Sequence, residues 1–441
     1  MKRCMRPVSA LALVVVLATA VGVATGSAAK PGDQPLVVGY YIQWGIYGRG
    51  YTVKHVETSG SAAKLDVINY AFGNVAPNAD GDVVCQSGDP WADYQKPWTA
   101  DESVDGTEVT WPRPILGNFQ QLKALKALHP GLQVVVSLGG WTWSKYFSDA
   151  ALTQGSREQL VSSCIDLFIK GNLPDPGWGG MGGPGAAAGV FDGIDLDWEW
   201  PGSEGNVGNI IRAEDKRNFT LLVKEFRKQL DYYGNTTTKR DYLLTAFLPA
   251  ASSKIDAGFE VKKIFKDLDF ATVQGYDLHG AWESQTNHQA NLFTSPADPA
   301  SPRFSVDGVI DAYLERGAPA DKLVVGVPFY SRGWTGVPAT GGGLYQTSTG
   351  PAPGVWEAGA NDYEVVEALL GSGFTRHYDP LAGAAWLYGS GTFWTFDDPA
   401  VMQLKGQYVK ANGLGGIMFW ELSGDTPDGD LISAIASSLD P

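Results

Sequence analysis

Three carboxylates fall within one short run: Asp195, Asp197 and Glu199 alternate with Leu196 and Trp198 and precede Trp200 and Pro201. Alternate side chains of an extended chain share a face, so Gly193 and the three acids point one way and Ile194, Leu196 and Trp198 the other. Acids at neighbouring same-face positions repel, and burying them is costly unless some hold a proton or accept hydrogen bonds. A set that keeps one member protonated near neutral pH can protonate a leaving group while another steadies developing positive charge. A solvated acidic turn or a calcium loop would also place acids at this spacing, but calcium loops interleave Gly and Asn where this run has Ile, Leu and Trp.

The run Asp192-Gly193-Ile194-Asp195-Leu196-Asp197-Trp198-Glu199 resembles the D-x-x-D-x-D-x-E signature of the family 18 glycoside hydrolases, the chitinases. The resemblance implies that Glu199 is the general acid, that Asp197 orients the substrate's N-acetyl group and that Asp195 shares a proton with Asp197. Strand parity puts Asp192 on the other face, in a structural place. Ser137-Leu138-Gly139-Gly140 is similar to the family's S-x-G-G motif, with Ser137 supporting the carboxylates. Gln274-Gly275-Tyr276-Asp277 with Gly280 is similar to M-x-Y-D-x-x-G and gives Tyr276 and Asp277 contacts to the reacting acetamido group. Gln274 departs from the family's Met, and Ser331 from a Gly, while Tyr330 and Arg332 match.

By the same resemblance Trp44, Trp141, Trp282 and Trp420 stack on successive sugars, with Trp420 beneath the sugar at the cleavage point. Tyr47 is open between sugar contact and loop packing. Trp356, Glu357 and Tyr363 belong to a cleft wall, and Tyr40, Phe72, Gln274, Ser137, Tyr330 and Arg332 complete the substrate-binding set. Non-proline cis bonds are implied at Ala71–Phe72, Glu199–Trp200 and Trp420–Glu421. The implied chemistry is retaining and substrate-assisted, an exception among glycosidases: the acetamido oxygen attacks the anomeric carbon, and water opens the resulting oxazolinium ion. A sugar-binding protein on the same scaffold would lack the acid that Glu199 supplies. An enzyme trimming branched protein-linked glycans fits the Trp-rich cleft less well than one acting on linear chitin.

Such a site needs a scaffold that offers a polar mouth and an apolar flank, as the C-terminal end of a parallel β/α barrel does. Strand-like runs occur at 36–42, 67–72, 132–137, 191–201, 242–249, 269–277, 323–330 and 415–421. Amphipathic stretches near 118–129, 157–170, 212–233 and 400–411 alternate with several of them. The expectation is an α/β (β/α)8 TIM barrel over 30–441. A small α+β insertion at 335–394, between strands 7 and 8, would be the chitinase insertion subdomain of the deep-cleft bacterial exochitinases, which release chitobiose. About forty residues before Pro114 lack periodicity, and their Trp91, Trp98 and Trp111 suggest an ordered cleft wall.

Lys2, Arg3 and Arg6, an apolar run and Ser27-Ala28-Ala29 read as a secretory signal over 1–29, so the mature protein is expected outside the cell. Its removal takes three of 33 basic residues and none of the 48 acidic ones, and 30 − 48 leaves −18. That charge disfavours nucleic acid and anionic membranes but not a neutral polysaccharide. Chitin and chito-oligosaccharides are the expected partners of a monomer. The five His residues show no metal-ligand spacing, and neither metal nor cofactor is expected. Cys85 and Cys164 fit either a disulfide or, for Cys164, a buried thiol in a helix. Asn218 and Asn235 sit in glycosylation sequons.

Overall fold

The computed structural model describes residues 34–440, so the proposed signal lies outside the described residues. Eight parallel strands run in chain order around a closed barrel: β1 (Leu36–Ile42), β2 (Val67–Pro77), β4 (Gln133–Gly139), β5 (Gly193–Asp197), β6 (Leu243–Leu248), β7 (Phe270–Val273), β8 (Leu323–Pro328) and β15 (Gly416–Trp420). Pairing of β1 with both β2 and β15 closes the circle. Their residues are almost wholly buried, because helices cover the outside and side chains fill the inside. The helix Asp215–Tyr233 shows how: Phe219, Leu222, Val223, Phe226 and Leu230 recur three or four apart and are buried, while its charged residues lie mostly outside.

Two boundaries differ from the sequence reading. β2 continues past Phe72 and pairs antiparallel with β3 (Val83–Ser87), so part of the stretch without periodicity is a hairpin tipped by Asp80-Gly81-Asp82. A disulfide joins Cys85 of β3 to Cys164, at the end of the helix Gln154–Cys164. β5 stops at Asp197, four positions before Pro201. Beyond it the Glu199 N–H donates to Ser144 Oγ at 2.8 Å and the Glu199 carbonyl accepts from Asn209 at 2.9 Å. These side chains replace the strand ladder and hold the acid's backbone where the barrel opens.

The chain then builds a second, antiparallel sheet. β9 (Tyr330–Thr335) pairs with β10 (Gly350–Pro351), β11 (Ala360–Asp362) and β14 (Thr392–Phe396), and β13 (Ala384–Gly389) joins β14 to β12 (Thr375–Asp379). Trp334, Val337, Trp386 and Phe393 form its own small core. Trp334 Nε1 donates to the Glu283 carbonyl at 2.9 Å, and Thr286 Oγ1 to that of Gly343 at 2.6 Å, which ties the sheet to the loop after β7. Tyr363, expected in the cleft wall, is instead buried with its ring 6.2 Å from Phe396, because it opens a helix that packs inward from β11. Asn218 is also buried, in the face of its helix that meets the barrel, which leaves Asn235 as the exposed sequon.

Candidate active site

Register explains the floor of the site. Asp195 stands opposite Ser137 of β4 and Thr245 of β6, so two hydroxyls flank one carboxylate. Ser137 Oγ donates to Asp195 Oδ2 at 2.7 Å, Tyr40 Oη to the same oxygen at 3.1 Å, and Thr245 Oγ1 to Oδ1 at 2.6 Å. Burial pushes the Asp195 carboxyl up, and these three donors pull it back by stabilising the anion.

Asp197 is built differently. Its carboxyl is buried, and Oδ1 has no hydrogen-bond partner among the described residues. Burial first, then the charges of Glu199 and Asp195, hold it well above the usual carboxylate range. Gly139 makes room beside it: φ is +103°, and a Cβ there would lie 2.6 Å from the Asp197 carbonyl oxygen. Glu199 is half-buried at the strand end, and burial raises it to about 8, with Lys254 opposing the shift and Asp277 adding to it. Asp197 and Glu199 stand close enough that each one's charge bears on the other's proton, and they titrate as a pair.

These groups open into a cleft of about 840 Å³. The residues expected in catalysis and substrate binding line it except Asp195 and Ser137, which lie behind its floor and act on it through hydrogen bonds, while Tyr363, Trp91, Trp98 and Trp111, expected in a cleft wall, do not line it. Tyr40, Phe72, Trp44 and Trp420 form one aromatic group, with Phe72 and Trp420 stacked at 5.8 Å and Trp44 6.4 Å from Trp420. Trp44, Trp141 and Trp282 are 40%, 50% and 60% exposed, so part of each ring is open to a ligand, although Trp44 stacks on Phe72 at 6.0 Å and Arg332 lies 5.3 Å over the Trp282 ring. Arg332 holds Asp277 through Nε and Nη2 at 2.8 and 2.9 Å and reaches Glu357 through Nη1 at 2.8 Å. Gln274, in place of Met, accepts from the Ala250 N–H at 3.2 Å, so its amide serves the wall as well as the cleft. Ser331 donates to the Asn361 carbonyl at 2.9 Å and pins β9 to β11. The peptide bonds Ala71–Phe72, Glu199–Trp200 and Trp420–Glu421 are cis. Asp192 faces away and is held by Lys126 at 2.6 Å and Arg240 at 2.7 Å.

Several lining residues carried no assignment from sequence. Lys254 lies in the helix after β6, 5.3 Å from the ring of Trp200, in a stretch with no motif to flag it. Thr245, behind the floor with Asp195, looked like any strand residue, and only the pairing of β5 with β6 reveals it. Arg49, Asp362 and Glu421 stood beside assigned aromatics, a signal that proximity in sequence offered.

The fold has counterparts among known proteins. The chain is 38% identical to chitinase A1 of Niallia circulans over 95% of its length and 40% identical to chitinase C of Streptomyces lividans over 92%. It spans 60% of the length of each of these relatives. It superimposes on the catalytic domain of the psychrophilic chitinase B from Arthrobacter TAD20 with a TM-score of 0.87 and 46% identity, covering 94% of this chain and 96% of that one. Residues 36–425 match the model of the glycosyl hydrolases family 18, and the chain belongs to that family.

Proposed function

We propose that the protein is a chitinase that cleaves β-1,4 bonds between N-acetylglucosamine units with retention, by substrate-assisted catalysis. The observation that carries this reading is the buried, unpartnered Oδ1 of Asp197 between Asp195 and Glu199 on the floor of an aromatic cleft. A buried carboxylate oxygen without a partner is costly, and an acetamido N–H or a shared proton would satisfy it.

Glu199, protonated below about pH 8, donates its proton to the glycosidic oxygen as the C–O bond breaks. The acetamido carbonyl oxygen of the sugar that bears the breaking bond closes on that same sugar's anomeric carbon and forms the oxazolinium ion. Positive charge then appears beside Asp197, which gains most from ionising at that moment. Tyr276, whose phenol is held neutral by burial and by Asp197 and Glu199, remains a hydrogen-bond donor throughout. The Glu199 carboxylate, steadied by Lys254, takes a proton from the water that opens the ring and is restored as the acid.

The stacked rings favour a linear chain of sugars, and the segment 335–394, which we assign as an inserted subdomain, supports entry by a chain end and release of the disaccharide. The basic and apolar N-terminus supports secretion, and the acidic composition supports action as a soluble monomer on a neutral polymer. Incubation with N-acetylglucosamine hexamer and with the fully deacetylated hexamer tests the reading. Rapid release of disaccharide from the first, and none from the second, is expected. Equal cleavage of both would exclude participation of the acetamido group.

A further inference from the structure

The barrel interior stays polar below the acids. Inward side chains of such a barrel lie in layers of four drawn from alternate strands, each two positions further on than the residue registered with the last. Asn69 of β2 registers through Val135 with Gly193, two positions before Asp195. Asp195 registers through Thr245 with Phe270, two before Thr272 of β7. Thr272 registers through Val324 with Gly416, two before Met418, and Met418 through Val38 with Val67, two before Asn69. The circle closes, so Asn69, Asp195, Thr272 and Met418 form one layer in which Asn69 faces Thr272. The same steps put Tyr40, Ser137, Phe247 and Gly326 in the layer above, nearer the cleft.

Asn69 and Thr272 are fully buried, and among the described residues neither amide atom of Asn69 nor Thr272 Oγ1 has a hydrogen-bond partner. Three such atoms are costly alone, whereas a buried water bonded to them removes the cost. Gly326 adds no side chain above Thr272, and a Cβ there would meet the Val273 carbonyl oxygen at 2.5 Å and Tyr276 Cε1 at 3.1 Å. Asn69 is registered with Tyr40, whose hydroxyl donates to Asp195 Oδ2 at 3.1 Å. Burial, then the charges of Asp195 and Asp197, hold the Tyr40 phenol well above its usual range, and the Asn69 amide opposes them. The titratable groups that face Asp195 are Tyr40, Asp197 and Tyr276, none of them a cation, so its charge depends on hydroxyl donors.

We propose that Asn69 and Thr272 hold an internal water beneath the acids, and that this water, bonded to Tyr40 Oη, fixes the Tyr40–Asp195 contact. A water that donates to Tyr40 Oη strengthens the bond that the same hydroxyl gives to Asp195. Asn69 and Thr272 are thus positioning residues that act on the site from below it. Their effect on turnover rests on the proposed chitinase reading.

The test compares wild type with Thr272→Val, Thr272→Ser, Asn69→Leu and the double variant Asn69→Leu/Thr272→Val. Val keeps the shape of Thr and loses the hydroxyl, whereas Ser keeps the hydroxyl. A high-resolution crystal structure of the wild type should show a water bonded to Thr272 Oγ1 and to the Asn69 amide. Asn69 bonded directly to Tyr40 or Thr272, with no water between, overturns the proposal. On N-acetylglucosamine hexamer, Thr272→Val and Asn69→Leu should lower kcat by about three- to tenfold with KM little changed. Both should move the acid limb of kcat/KM to higher pH, because Asp195 with a weaker donor keeps its proton longer as pH rises. Thr272→Ser should restore both quantities. Because the two side chains act through one water, the double variant should be no worse than Asn69→Leu. Losses that multiply, an unmoved acid limb, or a Tm raised by Thr272→Val, as expected where a hydroxyl has no partner, overturn the proposal. Should Asn69→Leu not fold, the two Thr272 variants carry the same expectations. Wild type inactive on the hexamer would overturn the chitinase reading instead, and the crystal structure and Tm would still decide the water.

Discussion

Asp195 and Asp197 stand two positions apart on one face of β5 with opposite surroundings: Asp195 accepts from three hydroxyls, whereas Asp197 keeps one buried oxygen without a partner. The hydroxyls make Asp195 the member best able to stay charged, and its charge helps keep the proton on Asp197. The free oxygen leaves Asp197 as the member that answers to substrate. Asp197→Asn should lower kcat by about 10²-fold, a typical cost of losing one electrostatic stabiliser. At pH 5 it should cost less than Glu199→Gln, since the proton donor remains. A loss equal to that of Glu199→Gln at pH 5 would contradict this division of roles.

The pH profile should follow from Glu199. Its acid form is present below about 8 and is lost as pH rises through that value, so kcat/KM should fall on the alkaline side near there. Lys254 lowers that value by its charge, and Lys254→Met should move the alkaline limb upward. A limb that stays in place or moves down would show that Lys254 does not act on the acid.

Stability should also decline with rising pH. Burial raises Asp93 and Glu421 to about 7 and Glu199 to about 8, so from about pH 4.5 up to about 8.5 the folded chain binds more protons at these groups than the unfolded chain. Stability contributed by the protonated forms is lost across that window. His288, lowered by burial to about 4, acts in the opposite sense, but only between about 4 and 6.5. Tm should therefore be lower at pH 8.5 than at pH 6.5, and Glu421→Gln should narrow the difference. A Tm that rises over this range would contradict the assignment.

The disulfide spans a sequence separation of 79, and chain entropy assigns a crosslink of that length about 4.5 kcal/mol at most. Replacing both Cys85 and Cys164 by Ser should lower the denaturant midpoint accordingly. The oxidised wild type and the double variant unfolding at the same midpoint would show that the bridge contributes nothing.

The barrel was legible because its strands are short buried runs between amphipathic helices, and the acidic set because alternation along β5 puts like charges side by side. The hairpin after Phe72 was not, since Gly73-Asn74 reads as a turn that ends the strand, whereas β2 runs through it to Pro77. Tyr363 misled for a related reason: beside Asp362 its ring is as plausible in a wall as in a core, and only the turn from β11 into the following helix decides. Lys254 and Thr245 gain their significance from register and from the loop after β6, relationships between distant segments that no local pattern carries.

Glu199→Gln tests the central claim most directly. The amide keeps the shape of the acid and the cleft around it but has no proton to give, so turnover of N-acetylglucosamine hexamer should fall by about 10²- to 10⁴-fold while oligosaccharide binding, measured by calorimetry, is retained. Turnover within about tenfold of wild type would mean that the proton comes from another group and that the account of this site is wrong.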